Sequence, residues 1–217
     1  MAAWAVLDVD GTLLPGSSME REFLKYLIRN RLIPFGNAPA FLMSGLRSLF
    51  SIRPGTGFAK NKSYIRNMPA SLVNGYAKTC FQTNISPYLS HNGMENVRSL
   101  RSRGFKIMIM SGSPYFLVEL LESIVHPDHI VSTGLEKENE RFTGKISGIH
   151  PYGKRKKTVL MNLQAELDIQ FEKSIVYANH HSDTFHMELF GTAVAVNPTR
   201  RLQALAEKQG WEIVHWV

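Results

Sequence analysis

Asp8-Val9-Asp10-Gly11-Thr12 places two carboxylates two positions apart, just where a short apolar run ends. On a tightening turn such a pair meets two environments. One carboxylate stays ionised as a nucleophile or metal ligand, and the other is poised to donate a proton. Further along come Ser111-Gly112, Lys156, and the segment from Asn179 to Asp183. A hydroxyl and an ammonium suit phosphate oxygens, one by hydrogen bonding and one by charge. Carboxylates that share a pocket with a phosphate need a cation between them, and a hard ion such as Mg2+ fits. Each fragment also has a plain reading, since Asp-x-Asp-Gly-Thr could be an Asx-capped turn and Ser111-Gly112 a simple one.

The elements around these residues decide between the readings. Ala3 to Leu7 reads as a buried strand ending in a turn. From Ser17 the pattern becomes helical, with Phe23, Leu24, Leu27 and Ile28 on one face and Pro34-Phe35-Gly36 as a break. A second stripe follows (Phe41, Leu42, Gly45, Leu46, Leu49, Phe50), then the loop Arg53 to Gly57, then a helix over Tyr64 to Phe81. Beyond Ser90 helices and strands alternate. Helices are expected at Glu95–Arg103, Tyr115–Val125, Lys156–Leu167, Asp183–Phe190 and Thr199–Gln209. Strands are expected at Phe105–Met110, Ile130–Ser132, Ser174–Ala178, Ala193–Val196 and Trp211–Trp216, with a hairpin between Thr133 and Ile149. This implies an α/β fold: a Rossmann-like parallel sheet with helices on both faces, interrupted by a helical insertion. Residues 1–14 and 86–217 would form the catalytic core and 15–85 a basic cap. Ligands of such sheets bind off the carboxyl ends of the strands. Asp8, Asp10, Ser111 and Asn179 all fall there.

Composition narrows the class. Of 217 residues, 44% are hydrophobic and 20% charged, enough for a core and unlike a disordered chain. No run approaches the roughly 18 apolar residues of a membrane span, and Ala2 to Leu7 is too short for a signal peptide. A single cysteine, Cys80, points to a core position and a reducing, cytoplasmic setting. The net charge of +7 is concentrated: between Ser17 and Ile85 stand ten basic and two acidic side chains, which leaves −1 for the remainder. That block should face something anionic.

In the order and placement of these motifs the chain resembles the haloacid dehalogenase superfamily phosphatases, in the branch that contains phosphoserine phosphatase. The resemblance runs from Ala5 to about Trp211, with the basic block in the place of the cap. It implies that Asp8 is the nucleophile that becomes an aspartyl-phosphate, while Asp10 protonates the leaving oxygen and then activates water. It implies that Ser111 and Gly112 bind the phosphate. The branch's Gly-x-Gly-Lys segment reads Gly153-Lys154-Arg155-Lys156-Lys157 here. Lys156 is its lysine by register with Gly153, by Leu160 four positions on, and by its spacing to Asn179. The metal would be Mg2+, held by Asp8, Asp10 and Asn179, with Asp183 behind them. The fourth motif departs from the family, which places a carboxylate where Asn179 stands. An amide can still bind Mg2+, but a neutral ligand lowers affinity.

His180, His181 and His186 admit a zinc or manganese alternative with imidazole ligands. A basic, partly apolar cap suits the phosphate of a lipid or other hydrophobic alcohol, with peripheral membrane contact through that cap. The alternative is a small metabolite such as phosphoserine. Against it, the phosphoserine phosphatases carry a cap glutamate shortly after the first motif, and Glu20 and Glu22 do not fall at that spacing. Three further readings are a metal-weakened relative that only binds phosphorylated ligands, a phosphotransferase, and nucleic-acid binding by the cap. No recognition helix, zinc spacing or stacking motif supports the last, and no nucleic-acid partner is expected.

Overall fold

The computed structural model describes residues 2–37 and 62–216. Six strands form one parallel sheet in the order β3-β2-β1-β6-β7-β8. They are β1 (Trp4–Leu7), β2 (Lys106–Pro114), β3 (His129–Thr133), β6 (Ile175–Ala178), β7 (Thr192–Val196) and β8 (Glu212–Val214). The chain leaves β1 toward β2 and β3 and later returns to β1's other side with β6. The order therefore reverses between β1 and β6, the crevice where α/β sheets bind ligands. Leu7 and Ala178 end those two strands, so Asp8 and Asn179 emerge side by side.

The strands read as continuous apolar runs because both faces are covered. Alternation divides their side chains between two cores. Ala5, Leu7, Ile107, Ile109, Ile175, Tyr177, Val194 and Val196 face one cluster, and Trp4, Val6, Met108, Met110, Val176, Ala178, Ala193 and Ala195 face the other. The first face is covered by α1 (Met19–Arg29), α2 (Ala70–Cys80) and α3 (His91–Ser102), through Phe23, Leu27, Val73, Ala77 and Leu100. Two short helices follow β2, α4 (Tyr115–Val118) and α5 (Glu122–Val125). The second face is covered by α6 (Lys154–Glu166), α7 (Thr184–Met187) and α8 (Arg200–Gln209). A separate antiparallel hairpin, β4 (Leu135–Glu138) and β5 (Arg141–Ile146), turns at Asn139 and Glu140. Both turn residues have positive φ, as a tight right-twisted hairpin requires.

Of the block expected as a cap, the described parts are residues 15–37 and 62–85. Their helices share the core of the first face: Phe23 meets Phe116 at 5.4 Å between ring centroids, and Phe116 meets Phe142 of the hairpin at 5.7 Å. The stripe Phe41 to Phe50 and the loop Arg53 to Gly57 lie outside the described residues. Ser18 caps α1 by accepting from the Arg21 N–H. Met19, Phe23 and Leu27 are buried, each contributing roughly 1.5–3 kcal/mol. Ile28, expected on the same stripe, is 56% exposed. Cys80 is buried, and burial pushes its thiol up to about 12.

Three local expectations are corrected. Tyr64 to Phe81 is not one helix. A short turn and a left-handed Asn67 precede Pro69, and α2 begins only after it, because a proline excludes the helical conformation from the residue before it. The segment Tyr115 to Val125 breaks into α4, a 3-10 turn and α5. Most consequentially, β2 does not stop at Met110. It runs extended through Ser111, Gly112 and Ser113 to Pro114, with a register shift against β3. Ser111 and Ser113 therefore point the same way.

Phe116 joins α1 and the hairpin in one aromatic contact chain. Phe116→Ala is expected to lower unfolding free energy by about 3–5 kcal/mol, as measured by urea denaturation followed by circular dichroism.

Candidate active site

The loop after β1 is built by its own hydrogen bonds. Gly11 N–H donates to Leu14 O, and the Thr12 and Leu14 N–H groups donate to Val9 O. Gly11 has φ +84°, and a Cβ there would lie 1.9 Å from Asn179 Nδ2, so the Asn179 side chain rests on the bare glycine. Substitution would both strain the backbone and displace Asn179. This tight loop returns Asp8 and Asp10 to one cavity of about 860 Å3, which Gly112, Ser113, Lys156, Asn179 and Asp183 also line.

Asp8 is buried. Its Oδ1 lies 2.7 Å from Lys156 Nζ, and its Oδ2 accepts from Thr12 Oγ1 at 3.3 Å. The same ammonium reaches Asp183 Oδ1 at 3.0 Å. Lys156 is buried, whereas Lys154 and Lys157 are exposed. Against burial, the Asp183 and Asp8 carboxylates hold the Lys156 ammonium above its usual range. Against burial again, Lys156 holds Asp183 below the usual carboxylate range. Asp8 goes the other way. Burial, with the Asp183 and Asp10 carboxylates adding to it, pushes it up to about 7 in spite of Lys156.

Asp10 is held by three donors. Met19 N–H, in the first turn of α1, donates to Oδ1 at 2.8 Å. Ser111 and Ser113 both donate to Oδ2, at 3.1 and 2.8 Å. The structure brings every expected site residue to this end of the sheet, with one difference of placement. Ser111, expected on the phosphate, is fully buried with its hydroxyl on Asp10, and the cavity wall beside it is Gly112 and Ser113. Ser113 does not stand out in the sequence, because its two-residue spacing from Ser111 pairs the hydroxyls only on an extended strand.

The histidines divide. His180 lines the cavity and bonds Ser182 through Nδ1, while the His181 ring lies tilted against it, outside the lining residues. Burial pushes His186 down to about 3. Its 3.9 Å approach to Asp183 is thus a neutral imidazole beside a carboxylate, not an ion pair. Among the described residues no three His, Cys, Asp or Glu side chains stand together as a ready cation site. The donors at the β1 and β6 ends are carboxylates and an amide, all hard oxygens. Their charge is uncompensated, because Asp8 and Asp183 share one ammonium and Asp10 has only neutral donors. A hard divalent cation fits that set.

The opposite wall was not legible from the sequence. Glu20 on α1 is gripped by Lys62 Nζ, 2.5 Å from both its oxygens, and accepts from Tyr64 Oη at 2.8 Å. Lys62 is fully buried. His150, Pro151 and Tyr152 close another side.

The profile of the haloacid dehalogenase-like hydrolases matches residues 5–188, and the chain belongs to that family. Within it, phosphoserine phosphatase SerB1 of Mycobacterium tuberculosis is 23% identical over 218 residues, spanning 98% of this chain and 70% of the relative. A solved protein of unknown function from Bordetella pertussis Tohama I superposes with a TM-score of 0.84 at 17% identity, over 99% of this chain and 98% of that one. A phosphoserine phosphatase solved as a phospho-aspartyl intermediate analogue gives 0.68 at 15% identity, over 99% and 93%. At these identities the structures speak for the shared fold.

The raised Asp8 yields a pH signature. In the metal-free protein a carboxyl raised from 3.8 to about 7 binds more protons folded than unfolded, so its contribution to stability falls as pH rises between those values. Asp8→Asn removes that titration. The wild type's melting temperature, relative to Asp8→Asn, is expected to drop between pH 4 and 7.

Proposed function

We propose that the chain is a Mg2+-dependent phosphomonoester hydrolase working through an aspartyl-phosphate on Asp8. The observation that carries this reading is the buried Asp8 carboxylate, 2.7 Å from Lys156 and sharing a cavity with Asp10 held by three donors. Membership of the hydrolase family and the phosphoserine phosphatase relatives support it.

In this mechanism an Asp8 oxygen attacks phosphorus as the bond to the alcohol oxygen breaks, and Asp10 gives that oxygen its proton. Asp10 then takes a proton from water as the water attacks the acyl phosphate, releasing inorganic phosphate and restoring Asp8. Lys156 offsets charge on Asp8 and on the phosphoryl oxygens, and Asp183 fixes the ammonium from behind. Gly112 and Ser113 line the phosphate side, with Ser111 acting through Asp10. Asp8, Asp10 and Asn179 would hold Mg2+. When bound, the ion neutralises Asp8 and the phosphoryl oxygens.

The insertion, residues 15–85, acts on this reading as a cap over the cavity. For the substrate, the Glu20 carboxylate is already paired with Lys62 and Tyr64, so it does not stand ready for a substrate ammonium. This favours a small phosphorylated alcohol without an amino group over phosphoserine. The lipid alternative rests on the basic block, whose apolar stripe lies outside the described residues. No helix among the described residues is long and apolar enough to cross a membrane.

A panel of phosphomonoesters, including phosphoserine, glycerol phosphates and a lysophosphatidate, tests the reading. Turnover should require Mg2+ and vanish in Asp8→Asn; turnover that survives Asp8→Asn sinks the mechanism. Asn179→Asp should lower the Mg2+ concentration for half-maximal activity by about tenfold, since a carboxylate binds the ion more tightly than an amide. An unchanged requirement removes Asn179 from the ligands.

A further inference from the structure

Thr133 ends β3, fully buried, and its hydroxyl stands between two polar atoms: Gly112 O at 2.6 Å and His150 Nδ1 at 2.8 Å. A hydroxyl has one proton to give. The Gly112 carbonyl can only accept, so that proton goes to it, and the Thr133 oxygen must accept from His150. His150 therefore carries a proton on Nδ1, a tautomer set by its neighbour.

The bonds continue past Gly112. The peptide whose carbonyl Thr133 holds has its N–H on Ser113, and that N–H donates to Ser111 Oγ at 3.0 Å. Both ends of the Gly112–Ser113 peptide are thus fastened. The flanking Ser111 and Ser113 hydroxyls are the two donors on Asp10 Oδ2. An unbroken series runs from His150 through Thr133 and this peptide to Asp10. His150 lies in the loop that also delivers Lys156, three residues past Gly153, and that loop closes over Gly112, where a Cβ would sit 3.7 Å from Pro151 O and 4.0 Å from His150 Cε1.

We propose that Thr133 and His150 are positioning residues for Asp10: through the Gly112–Ser113 peptide they set the two serine hydroxyls that aim its carboxyl at the leaving group. This rests on the reading of Asp10 as the acid given above. A positioning defect of this kind has a signature that loss of folding lacks. An alkyl leaving group needs its proton, whereas 4-nitrophenolate leaves without one. The ratio of kcat/KM for an alkyl phosphate to that for 4-nitrophenyl phosphate, taken on one preparation, is independent of the fraction of active protein.

Thr133→Val, which keeps the shape and removes the hydroxyl, should lower that ratio by about tenfold, a part of what general acid catalysis supplies. Thr133→Ser should restore it, and His150→Leu should lower it in the same sense while His150→Asn, which keeps a donor near Nδ1, should not. Equal losses on both substrates in Thr133→Val, or an unmoved ratio, overturn the proposal while leaving the hydrolase reading intact. A wild type without Asp8-dependent turnover of either substrate overturns the hydrolase reading, and this proposal with it.

Discussion

One buried ammonium organises the site. Lys156 enters the interior between Asp8 and Asp183, 2.7 and 3.0 Å from an oxygen of each. Burying any one of these charges alone would cost several kcal/mol, so none is stable there without the others. The sheet order puts Asp8 and the Asp183 segment on neighbouring strands, and α6 brings the lysine across their ends. Removing the ammonium would leave two buried carboxylates facing each other. Removing either carboxylate would leave the lysine half-paired. The triad is therefore a structural joint as well as a chemical one, and two carboxylates on one ammonium leave a negative charge unbalanced at the ends of β1 and β6.

The two aspartates meet different fates because they face different partners. Asp8 sits at the end of a fully buried strand, with one cation, one weak hydroxyl contact and two carboxylate neighbours. Asp10, two residues on, reaches the first turn of a helix and two serine hydroxyls. Two positions on a turn suffice to separate a group needing charge compensation from one already provided with donors. On the proposed mechanism, a cation bound between the carboxylates would compensate the raised Asp8 and so supply the charged form that its role as nucleophile needs.

Most of the sheet and the centre of the site were legible because they rest on local pattern. Apolar runs covered on both faces mark parallel strands, and residues after such strands meet at one edge whatever else the chain does. Asp8 and Asp10 needed nothing more, whereas Lys156 and Asp183 take their places from the resemblance to the family's later motifs. What escaped depends on geometry without a sequence period. Ser111-Gly112-Ser113-Pro114 carries turn residues, yet it stays extended as a continuation of β2, and only that extension pairs the two hydroxyls on Asp10. His150 was invisible because its importance lies in one Nδ1 contact with a threonine 17 positions away. Spacing from the first motif argues against Glu20, whereas the helical turn of α1 brings it to the cavity wall regardless of its count from Asp8.

That wall also changes the meaning of the chain's charge. The segment from Ser17 to Ile85 carries a large positive excess, which suggests an anion-facing surface. Lys62, one of its cations, is instead fully buried and held by Glu20, with Tyr64 completing the contact. A count of charges along a segment cannot separate cations that project a field into solvent from those neutralised inside. Here one such cation serves to occupy a carboxylate beside the cavity, and an occupied carboxylate is a poor receptor for a substrate ammonium, since a new partner must first displace a buried ion pair. The electrostatics of this wall, unlike those at Asp8 and Asp183, are thus set by a closed pair. On the hydrolase reading proposed above, the preferred substrate is one that leaves that pair undisturbed.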